Sequence, residues 1–401
     1  GLGDVYKRQI ISPSFYPDKI GIANYNYLTA KFFSNNKYRV HVVTAMPYYP
    51  EWKIKKPYDK APFYLKESIG KGIIVYRTKM YVPTKPSTVK RILQVLHFLF
   101  FSLKHIPSLP KKSKVLVVTP YTINILLGLL LKWFKKCKIW CHVQDFEFDL
   151  GIQNFKLGFL SQSLFFLEKT LLKKCNKVST ISQSMKKKLY LKTSIKGYYF
   201  PNFIDLGSYK NSFTPHSYYL DSTKPNLLYS GNIGEKQDWA FFIRFCHFNI
   251  EKFNFTIVGD GPKLDWIKKQ LDKQKNVRFY RLVKSSDLPR LLRSFDAHLL
   301  FQKNNILDSV MPSKLLGMMA SKKPCFVKGN KESEIKKIIR VSESGIFFDD
   351  NNIEKTTKSI IEYLANKKAI EKKKTVTENF LKENFSQKKV LLDFKKSINN
   401  I

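Results

Sequence analysis

Acidic residues are scarce in this chain. Its 401 residues hold 31 Asp and Glu against 71 Lys and Arg, a formal net charge of +40. Such an excess suits anionic surfaces or phosphorylated ligands. Part of it reflects a composition rich in Lys, Asn, Ile, Phe and Tyr, as an AT-biased genome produces. The basic residues are spread along the whole chain, and no RNA- or DNA-binding module is recognisable, so nucleic acid is not an expected partner.

Cysteine is also sparse. Five cysteines, Cys137, Cys141, Cys175, Cys246 and Cys325, form an odd, scattered set. That excludes a disulfide framework and suits a reducing compartment. Cys137 and Cys141, followed by His142, invite a metal reading. No second Cys/His pair is spaced to complete a tetrahedral site, so no metal is expected.

Long apolar runs are missing. Nothing reaches the roughly 18 residues of a spanning helix. The nearest candidate, "ILQVLHFLFFSL" at Ile92–Leu103, fits a buried or interfacial helix. A P-loop is missing too: "SGNIGEKQD" at 230–238 lacks GxxxxGK[ST], because Gln237 follows Lys236. The opening "GLGDVYKRQ" lacks Met and targeting logic and looks like a translated adapter scar. Residues 1–9 are therefore set apart from the fold. Its GxG is not read as a cofactor loop, and the native start is expected to lie outside the chain.

What is present is an alternation of apolar strands and helical stretches. Strands are predicted at 10–12, 38–45, 72–78, 114–120, 138–145 and 177–182, with helices at 23–33, 88–103, 124–135 and 160–173. After a polar stretch at 208–225 the rhythm restarts, with strands at 226–232, 253–262, 277–283, 297–302, 323–329 and 345–350. Helices are predicted between them at 239–248, 263–274, 286–294 and 313–321, and two more beyond Asn351. This is an α/β chain of two doubly wound, Rossmann-like domains. The expected division is 10–205, 206–385, and a last helix at 386–401 crossing back to the first domain. Ligands of open α/β sheets bind beyond the carboxyl ends of the strands, and two such domains are expected to face a shared cleft.

Five strand-to-helix loops are candidate sites. Gly21 precedes a helix whose free N–H groups suit an anion. Gly231 and Gly234, bracketing Asn232, keep the next loop small, and Lys236 stands near a helix N-terminus, where a bound anion would relieve an unfavourable dipole contact. A solvated Lys is the plainer alternative. Gly259 and Gly261 shape "VGDGP". Pro312 and Ser313 look like a helix start, with Lys314 beside it and Asp308 upstream, placed for sugar hydroxyls. "HVQDFEFD" collects His142, Asp145, Glu147 and Asp149 at a strand end, as a general base, a Mg²⁺ site or surface acids.

The ordered set "MPYYPEW", "YVPTKPSTVKR", "VQDFEFD", "STISQSM", "FPNFID", "YSGNIGEKQ", "IVGDGP" and "QKNNILDSVMPSKLL" resembles glycosyltransferase family 4, in its colanic acid biosynthesis type. The likeness runs from about Ile10 to about Ile346. It implies a GT-B fold, a nucleotide-sugar donor on the second domain, an acceptor on the first, and retention at the anomeric carbon without a metal. A GDP-sugar, such as GDP-fucose, is the donor it suggests. By position, Lys236 matches the family lysine on the donor diphosphate. Gly21 matches the glycine approaching the phosphates, and Ser313 and Lys314 the helix start beneath them. Asp145 falls near the acceptor side. Two features depart from the wider family. Asn232 stands where Arg is frequent, and the paired Glu positions hold Ser309 and Gly317, with Asp308 one residue from the first.

The expected function is a retaining glycosyltransferase in surface polysaccharide assembly, acting on a lipid-linked saccharide. It is expected in the cytoplasm, peripheral on an anionic membrane. Lys90, Arg91, Lys104, Lys111, Lys112 and Lys114 flank the Ile92–Leu103 stretch, as an interfacial helix requires. The alternative from the binding class is a catalytically inactive GT-B scaffold, motivated by the missing carboxylates.

Overall fold

The computed structural model describes residues 6–18, 21–85, 87–119, 122–146, 158–210, 214–305 and 313–401. The chain divides into two units, one running through Pro201 and regaining Leu391–Ile401, the other Asn202–Val390.

The first unit contains β1 (Lys7–Ile11), α1 (Ile22–Asn35), β2 (Arg39–Ala45), β3 (Tyr64–Ile69), β4 (Ile73–Thr78), α2 (Thr88–Ser102) and β5 (Lys114–Thr119). It continues with α3 (Ile125–Lys135), β6 (Lys138–Val143), α4 (Gly158–Lys174), β7 (Lys177–Thr180), α5 (Gln183–Thr193) and β8 (Tyr198–Tyr199). The strand order is β3-β4-β2-β1-β5-β6-β7-β8, parallel except for the β3–β4 pair. Central strands such as "VHVV" and "VLVV" are buried on both faces, as helix-covered parallel strands must be.

Three details differ from the sequence expectation. Lys7, Arg8 and Gln9, set apart above, are the first residues of β1. They are held there by specific polar contacts: the Gln9 amide donates to the Pro110 carbonyl at 2.9 Å, and the Arg8 guanidinium lies 4.5 Å from the Tyr38 ring centroid. Strand β3 was not anticipated because "YLKESI" is a half-exposed edge with no buried run. Helix α5 was not anticipated because only Met185, Leu189 and Thr193 are buried along a Lys-rich segment.

The second unit contains β9 (Asn226–Asn232), α6 (Trp239–Phe248), β10 (Asn254–Asp260), α7 (Leu264–Leu271), β11 (Val277–Tyr280), α8 (Leu288–Ser294) and β12 (Ala297–Phe301). Then follow α9 (Ser313–Ala320), β13 (Cys325–Lys328), α10 (Glu334–Ser342), β14 (Gly345–Phe348), α11 (Ile353–Ala365) and α12 (Lys367–Asn384). The all-parallel order is β11-β10-β9-β12-β13-β14. Renumbered within the unit this is 3-2-1-4-5-6, the dinucleotide-fold order, with its switch point between β9 and β12. The core beneath is aromatic: Tyr229, Phe241, Phe242, Phe245, Phe253, Phe255 and Phe301 are all buried, mostly in edge-to-face contacts. Helix α10 went unforeseen between two predicted strands.

Where two helices were expected beyond Asn351, three are found, the last being α13 (Gln387–Asn399). Phe394 stacks on Phe200 with centroids 4.2 Å apart and meets Trp140 edge-on at 5.1 Å. Leu391, Phe394 and Ile398 are buried at helical spacing, so the last turns of the chain complete the core of the first unit.

Candidate active site

The switch point of the second unit is where its ligand chemistry is expected. Strands β9 and β10 end side by side, with Gly231 opposite Gly259 and Asn232 opposite Asp260. Gly259 and Gly261, at and just beyond the end of β10, are obligatory for a steric reason. A Cβ on Gly259 would sit 2.3 Å from the Gly231 carbonyl oxygen, and one on Gly261 would sit 2.5 Å from that of Ile233. Gly231 itself has φ of +129°, a conformation that other residues rarely adopt. The two strand ends therefore form a bare backbone floor.

Lys314, on the first turn of α9, reaches over this floor. Its Nζ donates to the Tyr229 hydroxyl at 2.7 Å and to the Asn232 carbonyl at 3.1 Å, and lies 4.6 Å from the Tyr229 ring centroid. The Tyr229 hydroxyl donates to the same carbonyl at 2.6 Å. Burial pushes the Lys314 ammonium down to about 7 and raises the Tyr229 phenol above its ordinary range. Lys314 keeps some of its surface in solvent, but its ammonium end is packed.

Lys236 lies on the loop between β9 and α6 and is half-buried. The loop is stapled to the end of β12: Lys303 N–H donates to the Lys236 carbonyl at 3.2 Å, and Asp238 N–H to the Phe301 carbonyl at 2.9 Å. Asp238 caps α6, accepting from Phe241 N–H at 3.1 Å. Its other oxygen takes the ammonium of fully buried Lys328 at 2.8 Å. Glu235 pairs with Lys263 at 2.9 Å and approaches Lys303 at 3.6 Å. Opposing charges thus fix the loop, while the Lys236 ammonium makes no ion pair among the described residues.

Of the residues singled out in the sequence, Gly231, Asn232, Gly259 and Lys314 come together here, with Lys236 on the adjoining loop. Ser313 opens α9 beside them. Asp308 and Ser309 lie outside the described residues. Gly317, where the wider family carries an acid, faces a filled space: a Cβ would meet Leu292 Cδ1 at 3.1 Å and the Tyr209 hydroxyl at 3.3 Å. Tyr229, Asp238 and Lys328 were missed. A lysine closing the apolar run "CFVK" was the available signal, since a buried cation demands a partner.

Gly21 and Asp145 belong to the first unit. Gly21 has φ of +60° at the N-terminus of α1, with open space where a Cβ would project and no side-chain cap on the helix. Asp145 is half-buried two residues beyond β6. His142 is buried, with Nδ1 at 2.9 Å from the Ser179 hydroxyl and Nε2 at 2.8 Å from the Gln144 amide nitrogen. Burial holds it at about 3, so it is neutral at physiological pH. Glu147 and Asp149 lie outside the described residues. Among those described, no group of three or more His, Cys, Asp or Glu is gathered for a metal ion.

The pattern of the family described as glycosyl transferases group 1 matches residues 213–382. The chain is 30% identical over 326 residues to WcaI of Escherichia coli (strain K12), a protein named for glycosyl transfer in colanic acid biosynthesis. That alignment covers 77% of this chain and 79% of WcaI. Among solved structures, sucrose-phosphate synthase from Thermosynechococcus elongatus is similar with a TM-score of 0.73 at 12% identity, covering 98% of each chain. Anabaena Alr3699/HepE, solved with UDP and glucose, is similar with a TM-score of 0.65 at 12% identity, over 99% of this chain and 100% of that one. Those identities speak to fold alone, but family pattern and WcaI likeness speak to descent. With its two Rossmann-like units of the GT-B type, the chain belongs to the group 1 glycosyl transferases, as a relative of WcaI.

Proposed function

We propose that the protein is a retaining glycosyltransferase of surface polysaccharide assembly that takes a nucleotide-sugar donor in its second unit. The observation that carries this reading is the glycine floor at the paired ends of β9 and β10, with Lys314 laid over it and Lys236 on the adjoining loop. A diphosphate laid there meets backbone, two lysines and the N-terminal amides of α9. These groups stabilise charge as it develops on the departing diphosphate, the role a divalent cation fills elsewhere. The anomeric carbon–phosphate oxygen bond breaks as the acceptor hydroxyl bonds to that carbon from the same face. The departing phosphate oxygen takes the hydroxyl proton, so no side-chain base is needed. Gly21 is proposed as a phosphate contact and Asp145 as an acceptor-side residue. Ser313 joins the phosphate contacts, and Asp308, read from sequence alone, meets sugar hydroxyls.

The acceptor is proposed to be a saccharide on a membrane lipid. Helix α2 supports this: it buries Val95 and Phe98 yet exposes Ile92, Leu93, Leu96 and Phe100, the last at 67%. An exposed apolar stripe between Lys90 and Arg91 at one end and Lys104 at the other suits the surface of an anionic membrane. Among the described residues no helix is long and apolar enough to cross a membrane.

Transfer and donor hydrolysis by the purified protein, with a panel of UDP- and GDP-sugars, test the reading. UDP-glucose leads the panel because the Anabaena protein was solved with it, and GDP-fucose follows. Lys236→Ala is expected to lower kcat/KM by about 100-fold or more. Unchanged turnover in that variant would refute the phosphate assignment. The filled space at Gly317 favours a second reading, an inactive scaffold. Calorimetry that finds no affinity for UDP or GDP would select it.

A further inference from the structure

The hydrogen bonding of Lys314 is complete without its charge. A neutral lysine amine has two N–H groups, and the Tyr229 hydroxyl and Asn232 carbonyl accept both. A third N–H exists only in the ammonium. No carboxylate within ion-pairing distance supports that charge among the described residues.

The described acids on neighbouring elements pair with other cations or lie beyond ion-pairing distance of Lys314, and the remaining charged groups are cations. Glu378 and Glu371 of α12 pair with Lys322, Lys382 and Lys374. Asp238 pairs with Lys328 of β13, and Glu235 with Lys263 and Lys303. The Asp260 carboxylate at the end of β10 accepts from Gly261 N–H at 2.8 Å. Helix α8 offers Arg290 and Arg293, and β9 offers only the Tyr229 phenol. Packed on a ring with two neutral acceptors, the amine has little to hold its proton, and burial lowers it to about 7.

We propose that Lys314 takes up a proton when a nucleoside diphosphate binds at the carboxyl edge of the second sheet, its third N–H then donating to a phosphate oxygen. This rests on the donor-site reading above and adds to it a proton linkage. The proton comes from solvent and goes to the Nζ lone pair, and no bond of the ligand breaks. Lys314 is thus a cation that the ligand itself switches on. Affinity strengthens as pH falls through neutrality, because the protonated form is the binding form.

Calorimetric titration of the full chain with UDP and GDP, in buffers of different ionisation enthalpy, measures the uptake. At pH 8.0 the terminal phosphate, with a pKa of about 6, is already ionised. Wild type is expected to take up roughly 0.5–1 proton more per bound nucleotide than Lys314→Met. At pH 6.0 that difference should vanish, because Lys314 is protonated beforehand. Lys314→Arg, always charged, should bind with no more uptake than Lys314→Met. Thermal unfolding of each variant separates a linkage effect from a folding defect. Equal uptake in wild type and Lys314→Met at pH 8.0, with binding intact, would overturn the proton linkage alone. Absence of any UDP or GDP binding to wild type would overturn the donor site and the linkage with it.

Discussion

Lys314 lies so close across Gly231 that a Cβ on the glycine would sit 2.4 Å from Lys314 Cε and 2.8 Å from Nζ. The glycine and the lysine are 83 positions apart in the chain, yet the lysine can lie where it does only because residue 231 lacks a Cβ. The glycine makes room for the cation, and the cation is steered there by Tyr229 and the Asn232 carbonyl.

Gly231→Ala is therefore expected to act twice. The alanine strains a backbone at φ of +129° and displaces the lysine. A stability loss of about 1–3 kcal/mol is expected by urea unfolding. UDP or GDP affinity should fall by roughly tenfold or more, as for the loss of one charged contact. Retention of full nucleotide affinity by a folded Gly231→Ala protein would separate Lys314 from the ligand.

The Asp238–Lys328 pair predicts a non-additive cycle. Lys328→Met leaves a carboxylate at the head of α6 without its cation, at a cost of about 3–5 kcal/mol. Asn caps a helix nearly as well as Asp. Adding Asp238→Asn should thus recover part of that loss. Urea unfolding of the two single variants and the double variant measures the coupling, and strict additivity would count against the pair.

Buried histidines predict an acid limb. His142 and His298 are both held at about 3 by burial, against an ordinary value near 6.5. The folded state favours their neutral form. Their contribution is complete above about pH 6.5 and is lost as pH falls from there toward 3. Each site costs about 1.4 kcal/mol per pH unit within that window. His142→Gln should then lose roughly 2 kcal/mol less than wild type between pH 7.5 and pH 5.0. Parallel profiles from urea unfolding would mean that His142 is protonated in the folded state.

The exposed face of α2 predicts lipid dependence. Flotation with vesicles rich in phosphatidylglycerol should recover the protein, and neutral phosphatidylcholine vesicles should recover much less. Replacing Ile92, Leu96 and Phe100 with Ser should weaken binding by more than tenfold, because each loses about 1.5–3 kcal/mol of apolar transfer. Recovery that ignores both lipid charge and these substitutions would remove the membrane from the proposal.

Much of the architecture was legible because strand text in a helix-covered parallel sheet is nearly continuous and apolar. The limits of β9 and α6 were read to the residue, since Asn226 and Pro225 open the strand and Asp238 caps the helix. Edge strand β3 and the Lys-rich α5 carried no such pattern, because their burial is one-sided or sparse. Gly231, Gly259 and Lys236 stood out as loop residues at strand ends, where local spacing is enough.

The sequence by itself determined two restarted βα series, the bare strand ends and the surplus of cations, because periodicity and glycine placement are local properties. Only the tertiary structure decided which lysine does what. Among the described residues, Lys328 is drawn inward by Asp238, Lys236 is left without an ion pair, and Lys314 is laid on Tyr229 with no acid within ion-pairing distance. Those assignments depend on burial and on partners distant in the chain, and one lysine looks like another until the fold has chosen its neighbours.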